Sequence, residues 1–522
     1  MEIVLIGAPG SGARTVGAAL AERRDALLVD LTGDPALRPD LISGVRFAGT
    51  PDQTSVLRRV IAADRIIADT AIRAQLFRGR HVVWLDVPAA RLVERLRAAR
   101  RADVEIDGDY RAFTVRHLAT YEPYYAAGRR LDASGPISTT LDQIEKVLGE
   151  PRAGGTLVVR AGLHDGHIEL GEGILGSSLA HVLDRLEARR SVVVTSKRSR
   201  DRANAAAQVV AEAGLGVEVV ELPDGERAKL LEHQEVLFRR LAHLRLDRGD
   251  PIVALGDDVL LEAATFAAAV WLRGVPLVTV PVTTLGLIDT AIGGKGGIDL
   301  PGQGRNLLGA FHQAIGTILD VELVSDEPPP DRRVALAEAV KYGLVGEEGL
   351  LTLIEGSGRA GANAPWPQGT ELLELVERCA LAKRRAVLQD ERDTRGVRVA
   401  LNLGHTLSNA LELATRYRLP HGEAVAYGLR AALRIGREMG VTPPATTARG
   451  LRILRQLGLG QAPLDLAIDE VLDYVEADKK RRGGKLRWVL VAETGVDVRD
   501  DVPSVVVRNA VAAALTGSDE RP

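Results

Sequence analysis

The chain has 522 residues, 46% of them hydrophobic and 26% charged, as in a soluble globular protein, and a prior of about 150 residues per domain predicts three or four domain-sized units. Its net charge of -3, from 67 Lys and Arg against 70 Asp and Glu, gives no support for a nucleic-acid partner, whose footprint is a concentrated basic surface. The single cysteine, Cys379, excludes an intramolecular disulfide, no apolar run reaches the ~18–20 residues of a membrane span, and the N-terminus does not read as a signal peptide, so the expected compartment is the cytoplasm.

Residues 1–150 alternate strand-like runs (Ile3–Ile6, Ala26–Val29, Arg65–Ala68, His81–Leu85) with helical patterns. That alternation predicts an α/β unit with a parallel sheet. Between the first run and an Ala-rich helix lies GAPGSGART, Gly7 to Thr15. Its glycines, Gly7 and Gly12, have the spacing of the phosphate-binding loop G-x-x-x-x-G-K-[ST]. Ala13 stands where that motif has its lysine, and Arg14 where it has a hydroxyl. GEPRAGG, Gly149–Gly155, reads as a linker.

Residues 156–326 again alternate strands (Thr156–Arg160, Ser191–Thr195, Val217–Glu221, Pro251–Leu255, Pro276–Val280) with helices. This second α/β unit ends in two Gly-rich turns, around Lys295 and around Arg305 and Asn306, suited to surrounding a phosphate. EPPPD, Glu327–Asp331, then breaks the chain. Residues 327–522 read as mainly helical: Val334–Tyr342, Glu371–Leu388, Gly404–Thr415, Glu423–Met439, Ala445–Leu457 and Ile468–Val475, with a late strand in WVLVAETG. Glu338 and Lys341 share a helical face. With His405 and His421, each beside a glycine, Glu338 makes a common donor set for a catalytic divalent metal. The alternative is two histidines that only cap or pack.

LPDGE (Leu222–Glu226), IDTAIGGK (Ile288–Lys295), GRNLLGAF (Gly304–Phe311), LAEAVKYG (Leu336–Gly343), RVALNLGHT (Arg398–Thr406), LPHGEAVAYG (Leu419–Gly428) and ADKK (Ala477–Lys480) follow one another in order. Together they make residues ~156–520 resemble the 3-dehydroquinate synthases, within the sugar-phosphate cyclases. The resemblance implies an α/β NAD domain followed by a helical metal-binding domain, in a homodimer. It implies conversion of a seven-carbon keto-acid phosphate to 3-dehydroquinate in the shikimate pathway. A secondary alcohol is oxidised transiently, phosphate is eliminated, hydride returns, and an aldol step closes the ring. It implies Glu338, His405 and His421 as ligands of Zn²⁺ or Co²⁺, and Lys341 and Lys383 near substrate hydroxyls. Arg398 and Asn402 would read the carboxylate, and Asp289 would orient a hydroxyl. Lys295, Arg305, Asn306, Lys479, Lys480 and a partner subunit's equivalent of Arg273 would bind phosphate. Glu226, Lys229, Gly256, Asp257, Asp258 and Thr283 fall on the NAD side.

The chain departs from that family at its NAD loop. GDDVLLEA, Gly256–Ala263, keeps the first glycine and puts Asp257 and Asp258 where backbone would approach the diphosphate. Asn409 replaces a histidine. These changes leave open an unusual cofactor pose, weak NAD binding or lost activity. Residues 1–150 resemble shikimate kinase weakly, through GAPGSGARTVG, LLVDL and the stretches Val82–Arg100 and Tyr121–Gly135. Thr32 replaces an acid, ADTAI (Ala68–Ile72) replaces a glycine turn, and the lid motif R-P-L-L is absent from RRADVEIDGD, Arg100–Asp109. The kinase-like P-loop domain is therefore expected to be inactive. The competing readings are a non-catalytic paralogue that scaffolds or regulates, another sugar-phosphate cyclase, a metal-dependent alcohol dehydrogenase, and a bifunctional kinase-synthase.

Overall fold

The computed structural model describes residues 2–24, 26–31, 59–63, 65–78, 80–99, 109–149, 155–301, 304–356, 367–481 and 486–517. Thr32, most of the expected linker and all but Asp109 of the expected lid lie outside them.

The first unit is a five-stranded parallel sheet. Its strands β1 (Glu2–Ile6), β2 (Leu27–Leu31), β3 (Arg59–Ala63), β4 (His81–Asp86) and β5 (Arg129–Asp132) lie in the order β2-β3-β1-β4-β5. Ile3 to Ile6 are fully buried, the continuous apolar run expected of a strand covered on both faces. One expectation fails: Arg65–Ala68 is a 3₁₀ turn, and the strand is β3, six residues earlier. Both runs are apolar, but only β3 is flanked by β1 and β2, and Asp69 behind the second run caps helix Thr70–Phe77 by accepting from Ile72 N at 2.9 Å.

The second unit is a seven-stranded sheet. Its strands are β6 (Thr156–Leu163), β7 (Gly166–Glu172), β8 (Arg190–Ser196), β9 (Gly216–Leu222), β10 (Ile252–Gly256), β11 (Leu277–Pro281) and, after a hairpin, β14 (Gly316–Asp320). The order is β6-β7-β14-β11-β10-β8-β9, antiparallel only between β6 and β7. The hairpin, β12 (Lys295–Leu300) and β13 (Gly304–Phe311), contains both expected Gly-rich turns. Between β11 and β12 lies a π-helical turn, Gly286–Thr290. The rest is helical: Pro329–Leu344, Glu348–Gly356, Thr370–Gln389, His405–Ala414, His421–Glu438, Pro444–Gln456, Ile468–Arg481 and Ser504–Leu515. A hairpin, β15 (Trp488–Val491) with β16 (Val496–Arg499), interrupts this series.

The first unit is locked onto helix Thr370–Gln389. Arg73, fully buried, forms an ion pair with Glu377 of that helix. Thr70 Oγ1 donates to the same carboxylate at 3.0 Å, and the Arg73 guanidinium lies 4.3 Å from the Tyr124 ring centroid.

Candidate metal and substrate site

Helix Pro329–Leu344 starts with prolines in its first turn, where a missing N–H is harmless. Its buried side carries Glu338 and Lys341. Gly404, with φ of 81°, ends the preceding turn so that His405 can open the next helix. A Cβ at Gly404 would stand 2.9 Å from the Leu429 backbone nitrogen. His421 opens helix His421–Glu438.

Glu338, His405 and His421 bring their ligand atoms within 4.8 Å of one another. Glu338 Oε1 is 3.6 Å from His405 Nε2 and 3.4 Å from His421 Nε2. These distances are long for hydrogen bonds; Glu338 Oε2 is paired with Lys341, while Oε1, which faces the two histidines, is buried without a hydrogen bond. His405 Nδ1 donates to the Leu403 carbonyl at 3.2 Å, and His421 Nδ1 donates to Glu412 at 2.8 Å. Each ring therefore aims its Nε2 at Glu338, the orientation that second partners impose on metal-ligating histidines. Burial lowers His421, but Glu338 and Glu412 outweigh it and raise His421 to about 10, so a cation bound here displaces the His421 Nε2 proton. Burial pushes the Glu338 carboxyl up, but Lys341 and His421 outweigh it and hold it at about 2. Burial brings His405 down to about 4. The residues fit a divalent cation.

Asp289, on the π-helical turn, is the second focus. Lys383 Nζ lies 2.9 Å and Lys341 Nζ 3.9 Å from its carboxylate, and Tyr342 donates its hydroxyl to it. Burial opposes ionisation of Asp289, but the two ammoniums hold its carboxyl far below the usual range. Burial lowers the Lys383 ammonium to about 8. Arg398 is buried and donates to the carbonyls of Gly293 and Glu391, at 3.2 and 2.8 Å. Asn402 ends the same 3₁₀ turn.

On the hairpin, Asp299 organises the basic groups. It accepts from Asn306 N at 2.8 Å and lies 3.8 Å from both Lys229 Nζ and Arg305 Nε. Arg305 pairs with Glu226 at 2.5 Å and stacks on Tyr417. Lys295 pairs with Asp393 at 2.9 Å. Arg273 is exposed in the bend after helix Asp258–Val270. Lys479 and Lys480 lie on helix Ile468–Arg481, with their side chains outside the described structure.

The strand-to-helix turn after β10 is already capped. Asp257 accepts from Leu260 N at 2.9 Å, so its carboxylate occupies the helix N-terminus where a phosphate would sit. Asp258 is pushed up to about 7 by burial, then by Asp257 and Glu262. Lys229 is drawn to Glu262 at 2.5 Å. Thr283 Oγ1 accepts from Gly286 N. This end fits a diphosphate only with Asp258 neutral.

Glu412, Tyr342, Asp299 and Asp393 were absent from the sequence reading. Only Glu412 carried a signal: it follows His405 by seven residues, two turns along one face.

In the first unit, Ser11 N donates to Ala8 O at 2.8 Å, and Gly10 and Gly12 take φ of 90° and 91°. Ala13 is buried and Arg14 exposed. Arg95 donates to the carbonyls of Gly10, Ser11, Ala133 and Ser134, at 3.4, 3.3, 3.0 and 3.3 Å. A cavity of about 440 Å³ adjoins this loop.

Residues 219–333 match the family model of the 3-dehydroquinate synthase N-terminal region, and residues 335–481 that of its C-terminal region. A 3-dehydroquinate synthase of Nostoc punctiforme is 38% identical over 302 residues, covering 57% of this chain and 82% of the relative. That of Mycobacterium leprae is 36% identical over 320 residues, 61% of this chain and 87% of the relative. The chain belongs to the 3-dehydroquinate synthase family. Among solved structures, a 2-epi-5-epi-valiolone synthase from Streptomyces hygroscopicus, with NAD+ and Zn2+ bound, aligns with a TM-score of 0.60 and 23% identity over 66% of this chain and 96% of its own. A 2-deoxy-scyllo-inosose synthase complexed with carbaglucose-6-phosphate, NAD+ and Co2+ aligns with a TM-score of 0.59, 24% identity and the same coverage. These two share the fold of a 3-dehydroquinate synthase. The matched regions leave residues 1–150 outside.

Proposed function

We propose that the chain is a 3-dehydroquinate synthase acting on a seven-carbon keto-acid phosphate, with NAD and Zn²⁺ or Co²⁺ as cofactors. The observation that carries this reading is the convergence of Glu338, His405 and His421 beside the Asp289, Lys341 and Lys383 cluster. In this reading residues 156–326 are the NAD domain and residues 327–522 the metal- and substrate-binding domain. The protein works as a cytoplasmic homodimer, with Arg273 reaching the partner's site. No helix among the described residues is long and apolar enough to cross a membrane.

Glu338, His405 and His421 would hold the metal, which supplies Lewis acidity to substrate oxygens. Gly256, Asp257, Asp258, Thr283, Glu226 and Lys229 would line the NAD site, and NAD supplies a reversible hydride acceptor. Lys341 and Lys383 hold substrate hydroxyls against Asp289. With its ammonium lowered to about 8, Lys383 has an appreciable neutral population near physiological pH and can take up a hydroxyl proton. Arg398 arrives pre-oriented by two carbonyls and faces the carboxylate with Asn402. Lys295, Arg305 and Asn306 receive the phosphate, which displaces Asp393 and Glu226 from the two cations; Lys479 and Lys480 complete that pocket.

The test is phosphate release from 3-deoxy-D-arabino-heptulosonate 7-phosphate with added Zn²⁺ or Co²⁺ while NAD is titrated. Turnover that saturates with NAD supports the reading. Substrate binding without phosphate release at any NAD concentration favours the second reading, a non-catalytic binder, for which Asp257 and Asn409 speak.

The NAD end makes a separate prediction. Asp258 is neutral below about pH 7 and charged above it, so NAD binds more tightly as pH falls from 8 to 6. The double variant Asp257→Gly, Asp258→Gly is expected to bind NAD at least about tenfold more tightly at pH 8, ~1.4 kcal/mol, and to lose this pH dependence. Calorimetric titration at both pH values decides it, and a weaker dissociation constant in the variant would refute the role given to these carboxylates.

Residues 1–150 are proposed to be a shikimate-kinase-like unit without kinase activity. Ala13→Lys alone leaves shikimate phosphorylation at background, because Arg14 points to solvent and the substrate turn is replaced by ADTAI. ATP-dependent product from that variant would disprove this.

A further inference from the structure

A cavity of about 890 Å³ lies between the first sheet and the outer edge of the second. Among the described residues, its walls carry six arginines, Arg80, Arg129, Arg130, Arg160, Arg185 and Arg384, and three histidines, against two carboxylates, Glu122 and Glu169; Arg130 is paired with Asp86 behind the wall at 2.7 Å. Several of these cations spend their hydrogen bonds on neutral groups. Arg384 donates to the Gly162 carbonyl at 2.5 Å. Arg185 donates to His167 at 3.2 Å. Glu169 is saturated on one side: Arg160 and His181 approach its Oε1 at 2.7 and 2.8 Å. A concave site with this excess of guanidinium favours a multiply charged anion, since planar forks match phosphate oxygens.

His167, Glu169 and His181 also cluster closely enough to suggest a second metal site. The Arg185 contact argues against it. A guanidinium only donates, so His167 Nδ1 is the acceptor and its proton sits on Nε2, 3.1 Å from Glu169 Oε1. That nitrogen has no lone pair to give. A dication would also stand among arginines.

We propose that this junction cavity is a binding site for a phosphorylated small molecule, separate from the metal and substrate site. Arg185 reaches it from the second sheet's side and Arg384 from helix Thr370–Gln389, so a bound dianion bridges the two. Arg384 is the neighbour of Lys383, and the helix also carries Glu377, the anchor of the first unit. The site thus lies on the one helix shared by the junction and the Asp289 cluster.

The probe is inorganic pyrophosphate, titrated calorimetrically into the full chain at low salt, with citrate as comparison and zinc in a separate run. Wild-type protein is expected to bind pyrophosphate, and Arg185→Gln with Arg384→Gln to weaken it at least about tenfold with phosphate release by the enzyme unchanged. Arg185→Lys with Arg384→Lys keeps the charge and is expected to hold affinity within about threefold, which separates a lost site from a misfolded chain. Pyrophosphate affinity that is the same in wild type and the glutamine variant would place the anion elsewhere and overturn the proposal. Absence of binding up to millimolar pyrophosphate, tighter binding of citrate, or a zinc ion lost on His181→Ala would each overturn it as well.

Discussion

Glu338→Gln abolishes turnover, lowering the phosphate-release rate by at least about 10³-fold, on the order of 4 kcal/mol of transition-state stabilisation. The neutral amide keeps the shape of the side chain and removes the only anionic ligand among three. It also leaves Lys341 without its closest counter-charge at a position that is almost fully buried. Metal content measured on the purified variant is expected to fall with activity. Glu412→Gln is the graded companion: it reaches the metal ligands through His421 Nδ1, besides lying 4.0 Å from Arg305, and losing such an orienting partner typically costs about 10–100-fold. Wild-type metal content in the Glu338 variant would remove this residue from the ligand set. Proportional loss in both variants, with the Glu412 variant rescued by excess metal, is the pattern the geometry requires.

Arg73→Met unfolds the junction between the first unit and helix Thr370–Gln389. Glu377 is then a buried carboxylate left with the hydroxyls of Thr70 and Tyr124 and no facing cation at its Oε2, and breaking a buried pair by removing one partner costs about 3–5 kcal/mol. Burial already raises the Glu377 carboxyl despite Arg73, and without the cation it rises further. A carboxyl whose folded-state pKa lies above its unfolded value is tolerated while protonated and destabilises as pH rises through the folded value. The deficit is therefore largest at pH 8 and shrinks towards pH 5. The first calorimetric transition, recorded at both pH values, reads it. Adding Glu377→Leu should restore most of the loss, because a matched apolar pair replaces an uncompensated charge. A deficit that grows as pH falls would exclude Glu377 as its source.

What the sequence disclosed and what it hid separate along physical lines. Continuous apolar runs such as Ile3–Ile6 and Ile252–Leu255 announce buried parallel strands, and they were legible. β7 was missed because His167 and Glu169 interrupt its apolar pattern, and their polarity makes sense only against the cavity beside them. β14 was missed because it opens on Gly316 and spans five residues. Arg65–Ala68 looked like a strand because apolarity alone does not say which of two adjacent runs finds neighbours. At the site, Glu338, His405 and His421 stood out by residue type and glycine context. Tyr342 against Asp289, Lys229 against Asp299, and Arg73 against Glu377 are contacts between residues tens to hundreds of positions apart, and no local pattern encodes them.

Arg95 has a wider implication. Its guanidinium ties the carbonyls of Gly10 and Ser11 to those of Ala133 and Ser134, so the glycine loop is braced by the protein's own cross-member. A loop held in this way keeps its curvature whether or not any nucleotide visits. Chemistry at that corner can then drift away while the scaffold persists. Glycine spacing in such a segment is a record of shape, and it outlasts the function for which that shape is usually read.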